Sequence, residues 1–143
     1  MINIHLVRHG ETDWNREGRC QGQSESQLNE TGRAQAAAMQ EQIRELNPTA
    51  IYVSSAVRTR QTADLLTALI DVPHQHRDDL REIHLGPWET RLWDELESAH
   101  PMEVELFRTE QHRFELAGAE SFHQLQKRGV SAIEDIIAQE QNG

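Results

Sequence analysis

Apolar positions alternate at the start of the chain, where Ile2, Ile4 and Leu6 are joined by Val7, and this predicts a first strand over residues 2–7. Residues 10–30 lose all periodicity and are rich in Gly, Gln, Ser and Asn, which predicts a loop. Helical spacing then appears at Ala36, Met39, Ile43 and Leu46, with Thr31 as the expected N-cap and Asn47-Pro48 as the stop. Residues 50–54 read as a second strand, and Ser55 starts a helix expected to run to Ile70. Residues 74–77 are a weak third strand. Residues 80–93 are irregular, with a turn at Gly86-Pro87. A helix is expected over Trp93–His100, stopping before Pro101, and a charged helical insertion within 102–118. Ser121 is the expected cap of a final helix carrying Phe122, Leu125, Ala132, Ile133, Ile136 and Ile137 on one face.

Strand–helix alternation of this kind predicts an α/β fold: a three-layer α/β/α sandwich around a mostly parallel sheet. The whole of 1–143 reads as a single domain. The last helix runs into Gln-Glu-Gln-Asn-Gly, with Gly143 placed as a C′ residue, and should lead into another buried strand. No such strand follows, so the expectation is a domain truncated at its C-terminus and lacking one or more strands. An unpaired sheet edge beside an apolar face would then favour dimerisation or aggregation.

Composition narrows the partners. Fourteen basic against 24 acidic residues give a net charge of −10, which opposes binding to nucleic acid or to an anionic membrane surface. The hydrophobic share is 36% and the mean hydropathy −0.73, and no stretch has the length of a membrane span. Cys20 stands alone, so it forms no internal disulfide; it is either a reactive thiol beside the first loop or a buried inert one. With no signal peptide in view, the expected setting is the cytoplasm. An anionic small substrate would have to be captured by local arginines.

The candidate chemistry begins where the first strand ends, at Arg8-His9-Gly10-Glu11-Thr12-Asp13-Trp14-Asn15. An imidazole beside a guanidinium at a strand's C-terminal end is suited to attack on a phosphate: His9 as nucleophile, Arg8 as anion holder. Ser54–Ala63 adds Arg58 and Arg60 at a strand-to-helix junction, where a helix N-terminus and charged donors both favour anions. Gln21-Gly22-Gln23-Ser24 offers neutral donors, and Leu80–Gly86 supplies a carboxylate, Glu82, which can give a proton to a leaving alkoxide and take one from water. Asp78, Asp79 and Glu89 lie close enough in sequence to compete for that role. With arginines neutralising the phosphate, the reaction calls for no metal and no cofactor. His74 and His76 alternate on one strand face without the further ligands of a metal site, and Trp88 and Trp93 are expected in the core.

The stretches Leu6–Asn15, Gln21–Ser24, Ser54–Ala63, Leu80–Gly86 and Gly118–Ser121 together resemble the histidine phosphatase superfamily, in its phosphoglycerate mutase-like branch. In the last of them Ala119 is inserted into the family's Gly-Glu-Ser turn. The resemblance implies His9 as the phosphorylated nucleophile, Glu82 as proton donor and acceptor, and Arg8 and Arg58 as ligands of the phosphoryl group. It further implies that Asn15, Gln21, Gly22 and Arg60 line the substrate pocket. The family's second pocket histidine, in an apolar-apolar-Ser/Thr-His-Gly stretch, has no counterpart here. The implied activity is a metal-independent phosphatase for small phosphorylated metabolites. The alternatives are mutase-type phosphoryl transfer, or a catalytically silent relative that binds phosphate ligands or a protein partner.

Overall fold

A computed structural model describes residues 1–142; Gly143, the expected C′ residue, lies outside the described residues. The order of elements is α1 (Asp13–Glu17), α2 (Glu30–Ala38), α3 (Gln40–Leu46), β1 (Ile51–Ser54), α4 (Val57–Leu66), β2 (His74–Arg77), α5 (Trp93–Ala99), α6 (Pro101–Thr109) and α7 (Phe122–Asn142), with 3-10 turns at Asp78–Leu80, Gly86–Trp88 and Gln111–Arg113. The fold is α/β. Among the described residues the sheet has two parallel strands, with Ile51 opposite His74 and Ser54 opposite Arg77.

The weak third strand therefore exists, as β2, and the more apolar first one does not. Residues 2–7 are not assigned to a strand, and Ile2, Ile4, Leu6 and Val7 are 39, 49, 86 and 45% exposed. Alternation marks what a sheet could bury, but a strand is made by a neighbour's N–H and C=O groups. Strand β1 pairs with β2 and takes no second partner among the described residues.

Other boundaries differ for local reasons. The 10–30 segment contains α1, whose N-cap Thr12 and residue Asn15 form a reciprocal capping box. Helix α2 is capped by Asn29, whose Oδ1 accepts from Gly32 N at 2.9 Å, and Thr31 falls inside the first turn; Asn is the stronger cap. Met39 divides the expected helix into α2 and α3, its N–H turning to the Ala36 and Ala37 carbonyls. Helix α4 is shorter than expected because Ser55 turns its hydroxyl to Asp78, and because Thr67, whose hydroxyl binds Ala63 O at 2.8 Å, ends it. Asn47 closes α3 in the left-handed region, and Ser121 with Gln124 caps α7 reciprocally, both as the sequence predicts.

The larger core gathers Cys20, Ile83, Leu85, Trp88, Leu96, Val104 and Phe114, with Trp93, Phe107 and Phe122 against it. Trp88 meets Phe114 at 5.3 Å and Trp93 at 6.0 Å between ring centres, so aromatic edge and face contacts add to the area buried. A smaller core joins α2, α3 and α4 through Ala36, Ile43 and Leu66. Tyr52 on β1 turns its hydroxyl to Glu140 of α7, at 2.7 Å, while Val53 points to the opposite face and is buried.

Candidate active site

His9 is half-buried, and its Nδ1 lies 2.7 Å from Gly10 O. A carbonyl can only accept, so Nδ1 carries the proton and Nε2 keeps its lone pair. The next residue ties this segment to α4: Gly10 N donates to Thr62 Oγ1 at 3.1 Å, and the Thr62 hydroxyl donates to Arg58 O at 2.7 Å. Gly10 also lies against Gly32 of α2, where an added Cβ would stand 2.4 Å from Gly32 O. His9 is held by a helix and a backbone-to-backbone contact rather than by a sheet edge.

Arg58 is 2% exposed. Its Nη2 donates to Gly22 O at 2.8 Å and its Nη1 to Ser24 O at 3.1 Å, while Nε is buried with no hydrogen-bond partner. Among the described residues it forms no ion pair, although Glu82, Glu25 and Glu89 lie within electrostatic reach. A buried guanidinium held only by carbonyls is costly in isolation and strongly predisposed to an anion. Burial also holds the His9 imidazole below its ordinary 6.5; the Gly10 carbonyl opposes this, the Arg58 and Arg8 charges reinforce it, and Glu82 opposes it. Arg58, Arg8 and Glu82 thus all act on one neutral imidazole.

The two nearby carboxylates differ in what they touch. Glu82 is exposed and its Oε1 accepts only from Ile83 N, at 2.8 Å. Glu89 is nearly enclosed, with a side chain 9% exposed: Oε1 accepts from Gln23 N at 3.0 Å and Leu85 N at 2.9 Å and lies 3.0 Å from His84 Nδ1, and Oε2 accepts from Ser24 Oγ at 2.5 Å. Burial alone would raise the Glu89 pKa; these donors outweigh it and hold the carboxyl below the ordinary range. Among the described residues Glu82 is therefore the one of the two carboxylates left open to solvent.

The match with known families follows this geometry. The family model for the histidine phosphatase superfamily (branch 1) matches residues 4–143. The chain belongs to that superfamily. It is 40% identical over 144 residues to the "Metal-independent phosphoserine phosphatase" of Arabidopsis thaliana, covering 95% of this chain and 58% of that protein. It is also 40% identical over 98 residues to the "Probable phosphoglycerate mutase GpmB" of Photorhabdus laumondii, covering 68% of this chain and 46% of that protein. The solved mycobacterial glucosyl-3-phosphoglycerate phosphatase in complex with VO3 superposes with a TM-score of 0.85 at 30% identity, over 92% of this chain and 65% of that one. The chain thus spans about half the length of the curated relatives it matches.

Within this member of the superfamily the other expected site residues are placed unevenly. Arg8 is exposed beside His9. Asn15 Oδ1 accepts from Thr12 N at 3.0 Å, so its amide NH2 is the group left to meet a ligand. Gln21 Oε1 is held by Ser26 Oγ at 2.5 Å and Thr12 Oγ1 at 2.9 Å. Gly22 has φ +52° and turns its carbonyl to Arg58. Arg60 is exposed on α4, two residues and so about 200° around the helix from Arg58. The first N–H of α4 is not open to an outside anion: Val57 N donates to Glu25 Oε2 at 2.8 Å.

The sequence assigns no role to three supporting residues, although Thr12 and Thr62 lie within the motif stretches. Thr12, fully buried, links Asn15 and Gln21. Thr62 anchors Gly10, as above. Arg128 on α7 donates to Asp79 O at 2.8 Å and Arg81 O at 2.9 Å while pairing with Glu120, and so clamps the turn that carries Glu82. Only tertiary contact reveals Arg128, whereas the motif stretches and the i, i+3 capping pattern at Thr12 point to the other two without giving their partners. Cys20 is enclosed, and burial, reinforced by the Glu89 and Glu82 charges, pushes its thiol up to about 12, so the inert reading holds. His74 binds Thr67 Oγ1 at 2.8 Å, and among the described residues no three His, Cys, Asp or Glu side chains converge to hold a metal ion. No described helix is long and apolar enough to cross a membrane.

Proposed function

We propose that this member of the histidine phosphatase superfamily hydrolyses small phosphate monoesters through a phosphohistidine at His9. The observation that carries the reading is Arg58: among the described residues a buried cation without an ion pair, beside an imidazole whose Nε2 keeps its lone pair. Nε2 attacks phosphorus, the P–O bond to the leaving group breaks, and the alkoxide takes a proton from the Glu82 carboxyl group. Water then attacks the phosphohistidine, giving its proton to Glu82, and the N–P bond breaks to release inorganic phosphate and restore His9. Arg58 and Arg8 balance the charge on the equatorial phosphoryl oxygens in both steps. Asn15, Gln21, Gly22 and Arg60 line the substrate side, with Gly22 acting through the carbonyl that orients Arg58.

The names borne by the Arabidopsis and mycobacterial relatives favour a phosphatase. Mutase chemistry, the name borne by the Photorhabdus relative, differs only in the acceptor that meets the phosphohistidine. A small phosphorylated metabolite as partner and a cytoplasmic setting, in which Cys20 stays reduced, belong to the same reading. The test is turnover of an aryl phosphate by the chain and by His9→Ala, with trapping of an acid-labile, alkali-stable phosphoryl-enzyme. Turnover and label that both vanish in the variant support the reading. Equal turnover in both refutes it, and silence in both with retained phosphate binding identifies a non-catalytic relative.

A further inference from the structure

We propose that Glu89 is a positioning residue that orients Arg58, acting through the backbone of residues 22–24; the catalytic consequence rests on the phosphatase reading above. Both guanidinium contacts of Arg58 are to carbonyls of that short segment, Gly22 O and Ser24 O. Glu89 takes two of the segment's donors, Gln23 N and Ser24 Oγ, while Arg81 Nη2 donates to Gln23 O at 2.8 Å from the other side. The fit is close: a Cβ on Gly22 would stand 2.4 Å from Glu89 Oε1, and Gly22 adopts φ +52°, which favours glycine. The same carboxylate takes Leu85 N, three residues beyond Glu82. Glu89 therefore joins the loop that aims the cation to the segment that bears the acid. It does so with both oxygens engaged and its side chain largely buried, unlike the exposed Glu82.

A glutamine at this position keeps the shape but replaces one acceptor oxygen with a donor, which must then face Ser24 Oγ or two backbone N–H groups. Glu89→Gln is expected to lower kcat/KM for an aryl phosphate by about 10- to 100-fold, the scale on which supporting partners act at other sites. In an Arg58→Ala background the same change should cost less than about twofold, because its effect runs through Arg58. A readout independent of turnover is the Arg58 Nε–H signal in a nitrogen-15 spectrum, which burial protects from exchange with water in the native protein. Glu89→Gln should shift that signal and speed its exchange while the methyl signals of Ile43 and Leu66, in the other core, stay in place.

An unchanged Arg58 signal, additive losses in the double variant, or equal shifts at Ile43 and Leu66 would overturn the proposal. If Glu89→Gln does not fold, Ser24→Ala removes one donor only and should move the Arg58 signal in the same direction; no movement counts against the proposal. If the native chain turns over no aryl phosphate, the phosphatase reading fails, and the Arg58 signal still decides the role of Glu89.

Discussion

Two glycines lie within helices, and alanine should act on them with opposite signs. Gly129 sits in the interior of α7 with nothing within 4 Å of an added Cβ. Gly129→Ala should therefore stabilise by the usual helix-propensity gain, about 0.5–1 kcal/mol. Gly32, in the first turn of α2, faces the backbone of Glu11: its Cβ would stand 2.1 Å from Glu11 O and 2.6 Å from Glu11 N. Reaching ordinary contact requires a retreat of about 1.3 Å, and that backbone is not free to move. Asn29 N donates to Glu11 O at 3.0 Å and Glu11 N donates to Gln35 Oε1 at 2.9 Å. Overpacking against fixed backbone costs about 2–3 kcal/mol, so Gly32→Ala should lose about 1–2 kcal/mol after the propensity gain. For a chain of 143 residues about 1 kcal/mol moves the melting point by about 3 °C. Thermal unfolding followed by circular dichroism should show Gly129→Ala about 2–3 °C above the parent and Gly32→Ala about 3–6 °C below it. Because Glu11 lies two residues from His9, Gly32→Ala should also lose activity out of proportion to its stability. Shifts of the same sign in the two variants would refute the close approach between α2 and the His9 segment.

Two further outcomes follow from the titrations. The folded His9 pKa lies below the unfolded 6.5, so below that pH the unfolded chain takes up a proton that the folded one refuses. His9's contribution to stability should therefore fall as pH drops from 6.5 to its folded value and level off beneath it, and the acid limb of kcat/KM should have its midpoint below 6.5; a midpoint above 6.5 contradicts a buried, arginine-flanked imidazole. Cys20, with its thiol pushed up to about 12, should resist an aromatic disulfide reagent at pH 8 in the native protein and react on unfolding, whereas fast native labelling would mean that the core around Trp88 opens.

Helices were legible in the sequence where a local signal sufficed. The Ser121 cap, the stop at Asn47 and the amphipathic spacing of α7 are contained within a few residues, and the structure keeps them. Strands were less legible because pairing is non-local. The alternation at Ile2–Val7 has no neighbour among the described residues, whereas His74–Arg77, without an apolar residue, becomes a strand because β1 presents an edge to it. Charged and polar side chains suit such an exposed edge, so weak hydrophobicity argued against this strand for the wrong reason.

Site residues divide along the same line. His9, Arg58 and Glu82 stand in dense motifs, and the structure gathers their charges around one imidazole. Composition and spacing could not separate Glu82 from Glu89, because both are glutamates in the same irregular stretch after β2. What separates them is acceptor saturation: a carboxylate whose oxygens already receive two backbone N–H groups and a hydroxyl is committed to holding structure. One that receives a single N–H and faces solvent keeps an oxygen for a proton. The burial that makes Glu89 look like a tuned acid also closes its oxygens to substrate. The exposed Glu82 is the carboxylate that the proposed mechanism needs in reach of a leaving group. On the phosphatase reading proposed above, the buried carboxylate positions and the exposed one moves protons, so burial alone would favour the other carboxylate.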